Sequence, residues 1–235
     1  MSDHTVKAFD DDLNRLRGLV SEMGSRAAMA VEQAMVSLDQ RNRDTAAQIV
    51  ADDRLIDDLE VEIEKLVVTT IALRAPMADD LRSMIAALKI AAVLERVGDY
   101  ARSIAKRVPL LSVDRSVEAI PLLMSMAEIA CEMLRDSLEA YAAQDPALAK
   151  EVIARDKSVD DFYNAIFRAL ITYMMENPRS ISESAHLLFI AKNLERVGDH
   201  ATNVAEMVYF IATGSHVEAR EKGLDPADAS QQEAK

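Results

Sequence analysis

The hexamer Leu-Glu-Arg-Val-Gly-Asp occurs twice in this chain, at residues 94–99 and 194–199, and no other feature constrains the fold as strongly. Two further pairs of similar segments accompany it. VADDRLIDDL begins at Val50 and IARDKSVDDF begins 103 residues later at Ile153, while RAP and ENP are 102 residues apart and the hexamers 100 apart. Short deletions in loops would produce offsets that shrink in this way. The sequence therefore predicts an internal duplication.

Apolar residues recur at three- and four-residue steps through most of the chain, which is the spacing of one face of an α-helix. The breaks are short and carry helix signals, such as Asp145 before Pro146 and Gly214 where a helix should end. They delimit six predicted helices, at 5–41, 44–74, 77–107, 116–142, 146–176 and 180–212. Short loops make consecutive helices antiparallel. The predicted fold is all-α, with two similar antiparallel three-helix bundles in tandem, at 1–109 and 110–214, and a polar, disordered tail at 215–235.

Charge and composition exclude several classes of function. The net charge is −13, which disfavours binding to nucleic acid or to an acidic membrane surface. The first residues lack the basic and apolar regions of a signal peptide, and no uncharged stretch reaches the roughly 18 residues of a spanning helix. The single cysteine, Cys131, lies on an apolar helical stripe and is expected to be a buried, inert thiol. We expect a cytoplasmic protein.

Acidic pairs with a spacing of four residues stand at matched positions in the two halves. Such a spacing places both carboxylates on one face of a helix, with Cβ atoms about 5–6 Å apart. With 40 acidic residues in 235, one pair is weak evidence, so the signal is the repetition. In each half the pairs fall on the second and third helices, which are neighbours. The pairs are Asp53 with Asp57, Glu95 with Asp99, Asp156 with Asp160, and Glu195 with Asp199.

Two facing acidic pairs would place four carboxylates around one point in each half. Like charges at this spacing destabilise a helix unless a cation or an arginine compensates them, and carboxylates suit Mg²⁺, Ca²⁺, Mn²⁺ or iron. Asn203 continues the acidic face of the second half, where the first half has Ser103, so the second site is expected to be the richer one. Gly98 and Gly198 indicate close approach, either of a neighbouring helix or of a ligand.

A catalytic alternative comes from one further motif. Glu183-x-x-His186 is a step found in ferritin-like di-iron bundles, where it occurs twice. Here it occurs once, because Ser83 and Ala86 stand at the corresponding positions of the first half. The chain also has no Gly-rich phosphate loop and no evident nucleophile–base pair. An enzyme is therefore the least favoured interpretation.

Three segments together resemble the PhoU family of regulatory proteins of bacterial phosphate-specific transport. They are AFDDDLNRLRGLVSEMGSRAAMAVEQAM, LRAPMADDLRSMIAALKIAAVLERVGDYARSIAK and NLERVGDHATNVAEMVYFIATG, within a resemblance that extends from about His4 to Arg220. The resemblance implies two three-helix bundles side by side. It also implies metal ions, in some members iron clusters, at E(D)xxxD motifs that correspond to the four acidic pairs above.

The same resemblance implies a function. Members negatively regulate the phosphate-starvation response, linking the ATPase subunit of a phosphate ABC transporter to a sensor histidine kinase, and dimers are common. We therefore expect a non-enzymatic homodimeric adaptor, in contact with a membrane only through its partners, with metal sites that hold iron, Zn, Mn or Mg. An adaptor whose acidic clusters hold no tightly bound metal is the alternative. Many relatives have an acid where Val93 and Asn193 stand here, which weakens the carry-over of the metal ligands.

Overall fold

A computed structural model gives the fold of the chain; it describes residues 2–111 and 119–217, with side chains from Phe9 onward. The described residues form helices and no strand, which confirms the all-α prediction. One-turn 3-10 helices at Val108–Leu110 and Pro178–Ser180 precede α5 and α7. The α-helices of the described ranges are α1 (Ser2–Asp39), α2 (Arg43–Asp52), α3 (Arg54–Arg74), α4 (Ala78–Ala105), α5 (Ala119–Ala143), α6 (Pro146–Glu176) and α7 (Ile181–Thr213).

The helix ends follow the local signals in the sequence. The Asn42 side chain accepts hydrogen bonds from the backbone N–H groups of Asp44 and Thr45, both at 3.1 Å, and so caps α2. Asp145 caps α6 in the same way, with Pro146 in the first helical position. At the end of α7, Gly214 adopts a φ of 73°, the left-handed conformation that favours glycine.

The second predicted helix, 44–74, is divided in the structure, so the prediction of one continuous helix was wrong. The interruption falls at Asp53, which ends α2 and starts α3 while keeping helical dihedral angles, φ −51° and ψ −39°. Here the Ile56 N–H donates to the Asp53 carbonyl at 2.9 Å, a tight three-residue step, and the Asp57 N–H is farther away at 3.4 Å. The corresponding residue of the second half, Asp156, lies inside an uninterrupted α6.

The two halves each pack three helical segments together, and the halves also contact each other. In the first half α4 packs against α1 and α3, and in the second α7 packs against α5 and α6. Between the halves, α4 packs against α7 and α1 against α5. Their apolar stripes form one continuous buried cluster, in which side chains such as Met23, Leu94 and Leu123 are fully enclosed. The two hexamer-bearing helices, α4 and α7, are therefore neighbours.

Three predictions concern other parts of the chain. None of the helices in the described ranges is long and apolar enough to cross a bilayer. Cys131 is buried, as predicted, and burial raises its pKa to about 12. The predicted disordered tail at 215–235 falls outside the described residues except for 215–217, and so does the predicted helix start at 116–118.

Candidate metal centre

The hexamer glycines bring the helices that carry the acidic pairs into contact. A Cβ atom added to Gly98 would lie 2.9 Å from Cδ1 of Ile56 in α3. One added to Gly198 would lie 3.1 Å from Cγ1 of Val159 in α6. Ile56 and Val159 are 103 residues apart, the offset between the first members of the duplicated segments, so the two contacts are equivalent. Of the two explanations of these glycines, close helix packing is therefore the one that the structure shows.

In the first half the acidic pairs lie across the contact between α3 and α4. We call Asp53, Asp57, Glu95 and Asp99 the first cluster. Asp53 is buried, with 7% of its side chain exposed, and burial raises its pKa. The charges of Asp57 and Asp99 raise it further. The predicted convergence of carboxylates from two helices is thus present at this end of the cluster.

A basic residue lies among these carboxylates. The Arg102 guanidinium donates from Nη1 to Asp53 Oδ2 and from Nη2 to Asp99 Oδ1, and so bridges the α2–α3 junction and α4. Its charge opposes the rise of the Asp53 pKa. Asp53 and Asp99 therefore already have a cationic partner that belongs to the protein.

Two further acids, Glu95 of α4 and Glu60 of α3, lie on the side of the first cluster away from Arg102 in sequence. Burial raises the pKa of Glu95, and the charge of Asp99 adds to the shift. Arg96 Nε is 3.6 Å from Glu95 Oε2 and acts in the opposite direction. Burial also raises the pKa of Glu60, which was not predicted as part of the site. Glu60 extends the acidic face of α3 beyond the predicted pair.

The second cluster, Asp156, Asp160, Glu195 and Asp199, lies across the contact between α6 and α7. Thr202 Oγ1 donates a hydrogen bond to Asp156 Oδ1 at 3.0 Å. At the other end, Lys192 Nζ donates to Glu195 Oε1 at 3.0 Å. Burial raises the pKa of Asp160, and the charges of Asp156 and Asp199 raise it further. The four acids are therefore close enough to perturb one another electrostatically.

Glu195 is the most unusual carboxylate of the second cluster. Its Oε2 is buried and has no hydrogen-bond partner in the described part of the chain. Burial raises the pKa of Glu195, and the hydrogen bond from Lys192 lowers it. A buried acceptor without a donor is costly, because it has lost water and gained nothing in exchange. Such an oxygen is available to a cation.

The two clusters differ in how well they fit a metal ion. Among the described residues, no three His, Cys, Asp or Glu side chains form a ready-made site, so metal binding at either cluster requires side chains to rotate. In the first cluster Arg102 already lies where a cation would lie. In the second, the Oε2 atom of Glu195 fits a metal ligand. Metal at either cluster stays a prediction.

Asn203, the ninth predicted ligand, lies near the contact between the halves. Its Nδ2 is 3.5 Å from Nδ1 of His200. The His200 ring stacks on Tyr100 with centroids 5.5 Å apart, and its Nε2 is 3.1 Å from the Tyr100 hydroxyl. Burial lowers the His200 pKa, and the Asp199 charge opposes this shift. Tyr100 and His200 occupy equivalent positions in the duplicated segments, so the contact relates the two clusters.

The sequence interpretation missed the basic residues of both clusters. Arg102 lies three residues after Asp99 and corresponds to Thr202 at the hexamer offset, while Lys192 lies three before Glu195 and corresponds to Ala92. Both spacings are those of helix neighbours, so the signal was present. The spacing of the acidic residues alone does not indicate these two basic partners.

Comparisons with known proteins agree with the duplicated helical architecture. A family model described as the PhoU domain matches residues 20–108 and again 123–208. A "Phosphate-specific transport system accessory protein PhoU homolog" from Zymomonas mobilis is 53% identical over 222 residues, covering 94% of each chain. A protein of the same description from Caulobacter vibrioides is 43% identical, covering 96% of this chain and 98% of its own.

Two solved structures have the same fold. The phosphate transport system regulatory protein PhoU from Streptococcus pneumoniae superimposes with a TM-score of 0.84 at 27% identity, covering 90% of this chain and 100% of that one. PhoU from Pseudomonas aeruginosa superimposes with a TM-score of 0.76 at 32% identity, covering 92% of this chain and 100% of that one.

Proposed function

The chain belongs to the PhoU family, and on that premise we propose that it is an accessory, regulatory protein of phosphate-specific transport. The proposal rests mainly on one observation, the match over nearly the full length of relatives described as accessory proteins of this transport system. The similar structure from Streptococcus pneumoniae is described as a regulatory protein of phosphate transport. We propose further that the protein is an adaptor without catalytic turnover.

In the finer form of the proposal, the protein negatively regulates the phosphate-starvation response. It links the ATPase subunit of a phosphate ABC transporter to a sensor histidine kinase, as a cytoplasmic homodimer. Sedimentation of the purified chain tests the dimer, and cell fractionation tests the location. A protein that sediments as a monomer at micromolar concentration, or that remains with washed membranes lacking the transporter, would contradict this form.

Exposed apolar side chains support an adaptor role. The connection between α3 and α4 exposes Leu73 and Met77, and the equivalent connection between α6 and α7 exposes Met175 and Ile181. All four are more than half exposed. Large apolar side chains exposed together mark surfaces that proteins use for binding. We propose that these two helix connections contact a partner.

A binding experiment tests the adaptor role. The immobilised chain is exposed to the transporter ATPase subunit and to the cytoplasmic part of the kinase, at high and at low phosphate. Leu73→Ser combined with Met175→Ser should raise the Kd for a partner about tenfold, which corresponds to about 1.4 kcal/mol. Val61→Ser combined with Val68→Ser is the control, because these apolar side chains are also more than half exposed but lie on the middle of α3. Binding of neither partner at either phosphate concentration would leave the adaptor role without support.

We also propose that the second cluster binds a divalent cation or iron through Asp156, Asp160, Glu195 and Asp199, with Asn203 nearby. Its support is the buried Glu195 Oε2, whose lone pairs have no donor within the described residues. Such an ion would supply the positive charge that four converging carboxylates need. Elemental analysis of purified protein, with melting curves in EDTA and in Mn²⁺, Fe²⁺, Zn²⁺ or Mg²⁺, tests this. If no metal co-purifies and none raises the Tm, the metal-free adaptor is the better description.

The carboxylate-bridged metalloenzyme is the weakest alternative. It would need a second Glu-x-x-His step, and the chain has Ser83 and Ala86 where the first half would carry one. The existing step lies on α7, where Glu183 is buried and His186 is half-buried. Oxygen consumption by the iron-loaded protein that disappears in His186→Ala would favour the enzyme over the adaptor.

A further inference from the structure

The two halves compensate their carboxylates in different ways at equivalent positions. In the first cluster, Arg102 of α4 lies at the end where α2 and α3 join. It contacts Asp99 three residues earlier in its own helix and Asp53 across the helix contact. At the equivalent end of the second cluster, position 202 carries a threonine, whose neutral hydroxyl donates a hydrogen bond to Asp156.

Arg102 contacts the carboxylates in the way that a bound cation would. Its guanidinium is planar and permanently charged, and its two terminal nitrogens each donate to a carboxylate from a different segment of the chain. Asp53 is nearly fully buried, so its charge is screened little by water. A metal ion at this point would have to displace the guanidinium and leave it without partners, next to another positive charge.

The second cluster also has a basic residue, but it lies at the opposite end. Lys192 donates to Oε1 of Glu195, its charge also lowers the pKa of Asp160, and its ammonium lies 5.0 Å from the centre of the Tyr163 ring. Oε2 of the same glutamate has no donor in the described part of the chain. Arg102 therefore pairs with carboxylates from two segments of the chain, whereas the contact of Lys192 with Glu195 leaves Oε2 of that glutamate without a donor among the described residues.

We propose that Arg102 is the resident cation of the first cluster and closes it to metal ions. The duplicated clusters have thus diverged: the first is compensated by the protein's own side chain, and an external cation has room only in the second. This inference departs from the metal ions in both halves that the resemblance to the family implies. It concerns the first cluster and does not depend on the adaptor role.

Exchange of the residues at the equivalent positions tests the proposal. Arg102→Thr gives the first cluster the residue of the second, and Thr202→Arg does the reverse. For each variant of the full chain, isothermal titration counts the Mn²⁺ ions bound per chain, and thermal melts in EDTA and in Mn²⁺ give the change in Tm. The control is Arg82→Thr, which removes another arginine of α4 that pairs with an acid three residues away, Asp79, but lies on the surface.

Arg102→Thr should melt at a lower temperature than the native chain in EDTA, recover in Mn²⁺, and bind one more Mn²⁺ per chain. Arg82→Thr should match the native chain in both measurements. An Arg102→Thr protein that folds but binds no additional Mn²⁺ would overturn the inference. So would a variant that melts as the native chain does in EDTA, because Arg102 would then compensate nothing.

The reverse variant keeps the proposal testable if Arg102→Thr does not fold. Thr202 is fully buried, so an arginine there also overpacks the helix contact, and Thr202→Arg is judged by Mn²⁺ binding and not by its Tm. The folded variant should lose any Mn²⁺ that the second cluster binds. A Thr202→Arg protein that folds and keeps that Mn²⁺ would refute the idea that an arginine at this position closes a cluster to metal ions. If the native second cluster binds no Mn²⁺, Arg102→Gln is the second variant: it removes the charge, keeps most of the side-chain volume and should bind one more Mn²⁺ per chain than the native protein, and no additional Mn²⁺ would overturn the inference.

Discussion

Replacing Glu195 by glutamine should have opposite effects on stability without and with metal. Glu195 Oε2 is a buried acceptor with no donor in the described part of the chain, and such a group costs about 1–3 kcal/mol. In Glu195→Gln, the amide nitrogen at that position can donate to the carboxylates of Asp160 or Asp199, whose charges raise the Glu195 pKa. The amide oxygen can still accept from Lys192.

The net gain follows from two opposing effects. The variant removes the cost of the orphaned oxygen and loses the charge of the Lys192 pair, which is partly exposed and is worth about 0–1 kcal/mol. Glu195→Gln should therefore be about 1 kcal/mol more stable than the native chain in EDTA. For a chain of this size that is a rise in Tm of about 2–4 °C.

Metal should reverse this order. A ligand at a hundred times its Kd stabilises the folded state by about 2.7 kcal/mol, so Mn²⁺ should raise the Tm of the native chain by about 5–11 °C. Glutamine is a poor metal ligand, so the variant should show little of this rise. The two melting curves should therefore exchange their order between EDTA and Mn²⁺.

Differential scanning calorimetry at pH 7 measures both shifts, and Glu95→Gln is the matched control in the first cluster. Because Arg102 compensates that cluster, Glu95→Gln should leave the Mn²⁺-dependent rise intact. For the same reason, paired alanines at Glu195 and Asp199 should reduce metal binding more than paired alanines at Glu95 and Asp99. A Glu195→Gln protein that is no more stable than the native chain in EDTA, or that keeps the full rise in Mn²⁺, would refute the reasoning.

Three further predictions concern pH, the hexamer glycine and the cysteine. Several carboxylates of the clusters have pKa values raised in the folded state and so bind more protons there than in the unfolded state, whereas the His200 pKa is lowered by burial and acts in the opposite direction. In a His200→Gln chain in EDTA, the free energy of unfolding from urea titration should therefore increase as the pH falls from 7 towards 5, and a continuous decrease would contradict the assignment. Gly98→Leu should destabilise the chain by about 1–3 kcal/mol because its side chain meets Ile56, whereas Gly18→Ala, in an open position of α1, should stabilise it by about 0.5–1 kcal/mol; equal changes in chemical denaturation would show that packing at Gly98 is unimportant. Burial raises the Cys131 pKa to about 12, so iodoacetamide should label the thiol slowly in the native chain and rapidly in urea, and rapid native labelling would show that the α5 stripe opens.

Local signals were sufficient to predict much of the fold. Caps such as Asn42 and Asp145 and the left-handed Gly214 act within a few residues, so the helix ends could be located to within a few positions. The break at Asp53 could not be predicted, because the residue keeps helical dihedral angles and no Gly or Pro lies nearby. It is a local change of hydrogen-bond spacing and has no counterpart in residue type.

The sequence predicted which acidic residues form the candidate site, but it did not predict which cations pair with them. The repetition of acidic pairs indicated which helices would carry the clusters, and the glycines indicated a close approach. Whether that approach involved a helix or a ligand remained open until the structure placed Ile56 over Gly98 and Val159 over Gly198. The partners of the carboxylates depended on the same packing.

The sequence by itself determined the duplication, the helices and the acidic faces, because periodicity and spacing are properties of neighbouring residues. Only the tertiary structure decided which cation each cluster has. Arg102 and Asp53 are 49 residues apart and meet because α4 packs against the junction of α2 and α3. The hexamer is identical in its two copies, yet three residues beyond it an arginine faces one cluster and a threonine the other. That difference changes the charge of the clusters only because the helices pack against each other.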